Sequence, residues 1–176
     1  MFDAAFNVKE RVSYLISVEL TLERLKAMPV VSVQSQLGCP EADALEKILE
    51  YAKTNVLTDK SGVRLFGRNF YPFEQPEPHG YEFYLTLDEN VNPSQEFIVQ
   101  NMFEGLYATL RVRGVAGIPN GWHALFSMVE SAGYVPVGVC RQMYGWVTAG
   151  FEEIVNWQQQ DASQERITDL WLQLKE

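Results

Sequence analysis

Cysteine, histidine and positive charge are all scarce in this chain, and each scarcity removes a class of function. The two cysteines, Cys39 and Cys140, stand far apart and in no metal-ligand spacing. Reduced thiols are expected from them, not a disulfide framework. The two histidines, His79 and His123, are isolated from any cysteine or carboxylate at ligand spacing. No metal and no cofactor is therefore expected. Lys and Arg number 14 against 23 Asp and Glu, for a formal charge of −9. Binding to a phosphate backbone needs clustered basic residues, so a nucleic-acid partner is not expected. The same acidity mildly favours cationic ligands through long-range attraction. No apolar run is long enough to cross a bilayer. The opening MFDAAFNVKERVSYL lacks the basic start and apolar core of a signal peptide, which makes a cytoplasmic location the expectation. A phosphate-cradling Gly-rich loop, a GxSxG elbow and a Cys–His signature are also missing.

What is present is enough apolar sequence, 47% of 176 residues, for one domain with a real core or two small fused ones. The organising stretch is GLYATLRVRGVAGIPNGWHALFSMVESAGY, Gly105 to Tyr134. It reads as a strand, a short Gly/Pro loop and an amphipathic helix. Trp122, Leu125, Phe126 and Val129 fall at i, i+3, i+4 and i+7 on one helical stripe. Gly133 is placed to stop that helix in a left-handed cap. An earlier stretch, MPVVSVQSQLGCPEADALEKILEYAKTN, repeats the pattern at a constant offset. Val33 matches Leu110, Leu45 matches Trp122, Ile48 matches Leu125, Leu49 matches Phe126 and Ala52 matches Val129. A shared strand-loop-helix suggests an internal duplication, whose halves should meet around a pseudo-twofold axis with a cleft at the junction.

Along the chain, a short helix is expected near Asp3 to Arg11 and an alternating strand from Val12 to Thr21. After a connection through Met28, a second strand starts at Pro29 and runs toward Gln36. Pro40 sits near the first turn of a helix, where its missing N–H costs little, with Glu41 and Asp43 beside it. Thr58 to Gly62 is turn chemistry, and Val63 to Gly67 a short strand. The three prolines of RNFYPFEQPEPHG exclude a central strand or helix. Its aromatic residues, Tyr71 among them, either pack back onto the domain or cover a ligand as a lid. Tyr81 to Leu87 is the clearest strand, with Tyr81, Phe83, Leu85 and Leu87 beneath the helices and Glu82, Tyr84 and Thr86 on the other face. A linker follows at about 88–95, dividing modules of about 12–90 and 95–176 within a single domain. The second module opens with a strand from Phe97 to Phe103. Val137 to Thr148 holds one or two strands, with Tyr144 and Trp146 on one face. Phe151 to Trp157 fits a helical turn or a strand equally. Gln158 to Glu165 is polar. ITDLWLQLKE closes the chain as a strand, with Leu170, Leu172 and Leu174 inward and Asp169, Trp171 and Gln173 outward.

The functional expectation rests on that last strand. In the closing strand of each half an acid precedes an aromatic by two residues, Glu82 with Tyr84 and Asp169 with Trp171. Period-two geometry puts each pair on one face, about 7 Å apart along the strand. A pseudo-twofold axis would bring both pairs toward one cleft, where Tyr107 of the preceding strand joins them. Such a site suits a flat cation, at about 0.5–2 kcal/mol per good ring contact. Several contacts with a carboxylate reach micromolar affinity, about 8 kcal/mol. Arg111 and Arg113 share the face of Tyr107 and either could neutralise an acid instead. The alternative is an ordinary solvent-facing sheet surface. Tyr71 and Trp146 complete the candidate ligand-binding set. Glu152 and Glu153 read as solvated charges, one of which could reach the cleft.

In order and content, GLYATLRVRGVAGIPNGWHALFSMVESAGYVPVG, VRLFGRNFYP with YEFYLTLDE, and ITDLWLQLKE resemble the GyrI-like superfamily. These are the effector-binding domains of AraC-type and multidrug-responsive bacterial regulators. The resemblance covers nearly the whole chain from about Val12. It implies an α+β fold of duplicated strand-helix-strand-strand modules, with an antiparallel sheet and two main helices around a central cleft. It further implies a cavity acid that meets cationic, often aromatic, drug-like molecules. Glu82 matches the family's acid on the last strand of the first module, and Asp169 with Trp171 its closing strand. The chain has no room for the helix-turn-helix that AraC-type regulators append, so a stand-alone binding module is expected. Some relatives are hydrolases that open electrophilic small molecules with cavity carboxylates; Glu82 and Asp169 would then be the catalytic pair. A gyrase-inhibitor-like protein-binding module is a third possibility, and a protein partner or homodimer remains open.

Overall fold

A computed structural model describes residues 19–36, 38–70, 80–87, 97–102, 104–138, 150–159 and 164–176. Among them run eight strands and two helices. In chain order they are β1 (Thr21–Leu25), β2 (Met28–Ser35), α1 (Pro40–Thr54), β3 (Leu65–Phe70), β4 (Gly80–Thr86), β5 (Ile98–Met102), β6 (Gly105–Arg113), α2 (Ile118–Ser131), β7 (Gly150–Ile154) and β8 (Ile167–Gln173). A single 3-10 turn, Val115–Gly117, leads into α2. The strands form one sheet in the order β1-β6-β8-β7-β3-β4-β2-β5, with antiparallel pairing throughout. The sheet curls into a half-barrel, an α+β architecture. Among the described residues, no helix is long and apolar enough to cross a membrane.

Both helices lie on one face of the sheet, and their apolar stripes explain why. α1 buries Ala44, Ile48, Tyr51 and Ala52 in a core with Val31 and Val33 of β2 and Phe83 and Leu85 of β4. Pro40 and the acids Glu41 and Asp43 occupy its first turn, where exposed N–H groups favour negative charge. α2 buries Ile118, Gly121, Leu125 and Val129 against Leu110 and Val112 of β6 and Leu170 and Leu172 of β8. Gly121 permits a close approach. A Cβ there would stand 2.5 Å from Val112 Cγ1 and 2.8 Å from Leu170 Cδ1. The helix stops in a Schellman motif. Gly133 takes φ +81°, its N–H reaches the Glu130 carbonyl, and the Tyr134 N–H reaches that of Val129.

Strand alternation works as expected in β4 and β8. Tyr81, Phe83 and Leu85 face α1, and Leu170, Leu172 and Leu174 face α2. The opposite face holds a third buried cluster built on Phe66, Tyr84, Tyr107, Phe151 and Trp171. These rings meet edge to face, as Tyr84–Phe151 at 5.7 Å and Tyr107–Trp171 at 6.0 Å. An ordinary solvent-facing surface would not bury five aromatic rings.

Several boundaries differ from the sequence expectation. β1 falls where a connection was expected, because its exposed residues show no alternation and it is held by pairing with β6, Thr21 opposite Thr109. β3 starts two residues later than expected and runs to Phe70, following its register with β4. The ambiguous segment from Phe151 resolves into β7 followed by a turn over 155–158, since β7 is hydrogen-bonded to β8 and β3. The helix expected near Asp3, the strand over 12–18, the loop over 71–79, the whole linker over 88–95 and the strands over 139–148 lie outside the described residues.

Candidate functional site

The middle of the sheet is its most sparsely paired place. β3 and β7 meet there at Phe66 opposite Glu153 and Gly67 opposite Glu152. On the helix side of this seam, between α1 and α2, lies a cleft of about 620 Å³. That volume lies within the range of small-molecule sites. Apolar walls come from Leu45 of α1, Phe83 of β4 and Ile118, Trp122 and Phe126 of α2.

Glu152 projects into this cleft. Alternation along β7 sends Phe151 and Glu153 to the far face and Glu152 toward the helices. Two neutral donors from opposite sides hold its carboxylate. The Trp122 indole N–H of α2 donates to Oε1 at 3.1 Å, and the Tyr81 hydroxyl of β4 donates to Oε2 at 3.1 Å. Tyr81 reaches across β3 because Gly67 leaves space. A Cβ at Gly67 would lie 2.6 Å from Tyr81 Cε1 and 2.8 Å from its Oη. Arg166, just before β8, places Nη2 3.9 Å from Glu152 Oε2. Burial raises the Glu152 carboxyl above its ordinary value; the Trp122 bond, the Arg166 charge and the Tyr81 bond pull it back only in part. Burial likewise pushes the Tyr81 hydroxyl well up, reinforced by the Glu152 charge, so this phenol stays a donor. A carboxylate held between an indole and a phenol in an apolar cleft can anchor a cation. With its raised affinity for protons, it can also hold one.

The residues singled out by sequence lie on the opposite face of the sheet. Glu82 is 2% exposed. It is held by Arg68 Nη2 at 3.1 Å, by a short bond from the Tyr84 hydroxyl, and by Gln100 Nε2 at 3.4 Å. Asp169 takes a bidentate bond from Arg111, with both contacts at 2.6 Å. Trp171 donates its indole N–H to Glu153 at 3.1 Å, and Arg64 grips the same carboxylate at 2.7 Å through two nitrogens. Tyr107 packs on Trp171, and burial pushes its hydroxyl up to about 12. Each acid–aromatic pair does share a face. Yet Glu82 and Asp169 sit on strands three steps apart, about 14 Å, and each faces its own arginine. The arginines also stack on the rings, Arg64 at 4.6 Å from the Phe66 centroid and Arg68 at 5.3 Å from that of Tyr84. On that face the protein supplies its own cations. Tyr71 and Trp146 lie outside the described residues.

Sequence reasoning read Glu152 and Glu153 as solvated charges, one of which could reach the cleft, without saying which, and took Trp122 as stripe packing and Tyr81 as core. The available signal was chemical. Tyr81 is buried and Trp122 half-buried, and each carries a donor on its ring that needs an acceptor once withdrawn from water.

Two helices on one face of a curled antiparallel sheet make the α+β architecture expected from the sequence. No protein-family model matches the chain, and no curated protein matches it in sequence. Among solved structures it is similar to EcmrR in complex with DNA, at TM-score 0.65 and 17% identity over 96% of this chain. The chain spans 60% of the length of that protein. Against the EcmrR C-terminal domain alone the TM-score is 0.62 at 16% identity, over 90% of this chain and 98% of that one. A hydrolase from Listeria innocua gives 0.63 at 10% identity, covering 96% of both chains. SAV2435 bound to tetraphenylphosphonium gives 0.52 at 13% identity, over 89% of this chain and 94% of that one. At these identities the likeness is one of fold.

Proposed function

We propose that this chain is a small-molecule-binding domain of the regulator effector-binding type, taking amphipathic aromatic cations in the cleft between α1 and α2. The observation that carries the reading is Glu152, a half-buried carboxylate braced by Trp122 and Tyr81 inside an apolar cleft. Partly withdrawn from water, its charge is less screened and attracts a cation more strongly than a surface acid does. Trp122 and Phe126 supply ring faces beside it. Asn69 Oδ1, buried and without a hydrogen-bond partner, adds a spare acceptor on the cleft wall. The fold is shared with SAV2435, a protein solved with a lipophilic phosphonium cation. Two modules fit the strand order, which reads alike from either edge toward the β3–β7 seam; we take the cleft as the junction of a duplicated unit.

The test is a titration with tetraphenylphosphonium or a rhodamine dye, followed by tryptophan quenching. Saturable micromolar binding is expected, weakened at least tenfold in Glu152→Gln. Loss in Asp169→Asn with Glu152→Gln unaffected would move the site to the other face of the sheet. Absence of saturation would remove the proposal.

A hydrolytic reading is favoured by one observation, the raised Glu152 carboxyl beside the Tyr81 hydroxyl. A carboxyl shifted upward holds its proton more tightly than an exposed one, which is the direction general acid–base work requires. Turnover of reactive electrophiles that disappears in Glu152→Gln would support it, and none above background would exclude it.

A further inference from the structure

Arg166 stands in the wall between two cavities. It lines the cleft around Glu152, and it also lines a second groove of about 1040 Å³ on the outer side of α1. Leu45 is the other residue common to both. The second groove carries the carboxylates of Glu46 and Glu50. Arg166 is anchored through its Nε, which donates to Thr168 Oγ1 at 3.2 Å. Its Nη2 lies 3.9 Å from Glu152 Oε2, close enough for an ion pair and too far for a hydrogen bond. A guanidinium that could make a bidentate bond with this carboxylate stops short of one, whereas Arg64 and Arg111 close theirs at 2.7 and 2.6 Å.

We infer that Arg166 is the cleft's resident counter-ion and a specificity-determining residue, which an incoming cation must displace from Glu152 toward the second groove. This rests on the cation-binding reading above. The loose pair keeps the Glu152 charge compensated. A ligand cation that reaches Glu152 meets like charge from Arg166 unless the guanidinium turns about its Thr168 anchor toward Glu46 and Glu50. Arg166 therefore filters ligands. A neutral aromatic gains nothing from Glu152 and leaves Arg166 in place. A weakly docking cation cannot displace it. Only a cation with enough ring contact on Trp122 and Phe126 takes the site.

Among the described residues, other charged and titratable groups also stand around Glu152. They are Tyr81 from β4, His123 from α2 and Glu41 from α1; Arg68 of β3 turns away to Glu82 on the far face. Of these Arg166 is the cation drawn to Glu152.

The experiment compares the full chain with Arg166→Met and Arg166→Lys. Binding is measured for tetraphenylphosphonium and for its uncharged isostere tetraphenylmethane solubilised in cyclodextrin. Arg166→Met should tighten the cation about tenfold and leave the neutral compound unchanged, while Arg166→Lys should resemble the parent. Equal changes for both compounds, or none for the cation, would overturn the inference. A ligand-free readout separates it from the binding proposal. Trp122 fluorescence reports the protonation of the carboxylate its N–H touches. Arg166→Met should move that titration to higher pH, because a cation favouring the ionised form is gone. If the parent binds no cation, the binding proposal fails, and an unmoved titration then overturns the counter-ion role independently.

Discussion

Gly67→Ala is the smallest change that reaches Glu152, and its sign separates two accounts of the seam. Gly67 lies in an ordinary extended strand, where alanine normally stabilises by about 0.4–1 kcal/mol by restricting the unfolded chain. Here the new Cβ would fall 2.6 Å from Tyr81 Cε1 and 2.8 Å from both Tyr81 Oη and Phe83 Cε1. Those rings are 2% and 1% exposed and packed on each other with centroids 4.9 Å apart, so neither has room to retreat. Ordinary contact requires Tyr81 to move about 0.8 Å, which stretches its bond to Glu152 beyond hydrogen-bonding range. Overpacking costs about 1–3 kcal/mol, and the lost charge-assisted bond about 1–2 more. A net loss of about 2–4 kcal/mol is expected in urea unfolding, together with weaker cation binding. In a Tyr81→Leu background only the Phe83 contact remains and that ring gains room beside it, so Gly67→Ala should cost clearly less than in the parent. Stabilisation by Gly67→Ala in the parent, or the same cost in both backgrounds, would refute the reasoning.

Two further outcomes follow from the same contacts. The Glu152 carboxyl is raised above its ordinary 4.5 by burial, so the native state binds this proton more tightly than the unfolded chain does. The stabilisation is complete below that ordinary value and is lost as pH rises through the raised one. Glu152→Gln should therefore flatten the fall in urea midpoint above pH 4.5 even as it removes cation binding; an unchanged pH profile counts against the buried carboxylate. On the far face, Arg64→Ala leaves Glu153, 9% exposed, with only the Trp171 N–H among the contacts described. Because the Arg64 side chain is 28% exposed, the cost is about 2 kcal/mol, below that of a fully buried pair, measured by thermal unfolding.

Much of the fold was legible because period and punctuation are physical. The stripe from Trp122 to Val129 could only be a helix on a sheet, and Leu170, Leu172 and Leu174 only one face of a strand. Pro40 and Gly133 marked helix ends for steric reasons that local sequence contains. The site was less legible. Alternation correctly grouped Glu82 with Tyr84, but which residue stands across from Glu82 is a matter of register. Arg68 of β3 stands there, and Arg111 stands across from Asp169. Those neighbours decide whether an acid awaits a cation or already has one. Glu152 shows the reverse. In GFEEI it is one of two adjacent acids, and only the pairing of β7 with β3 and β8 decides which of them turns inward.

The seam has a mechanical consequence. The sheet's two sides are stitched there by two paired positions, and one of the stitches is Glu152. Its carboxylate is a knot tying a helix from one side, through Trp122, to a strand from the other, through Tyr81. A change at that carboxylate therefore acts on both sides of the sheet at once, through one contact to each.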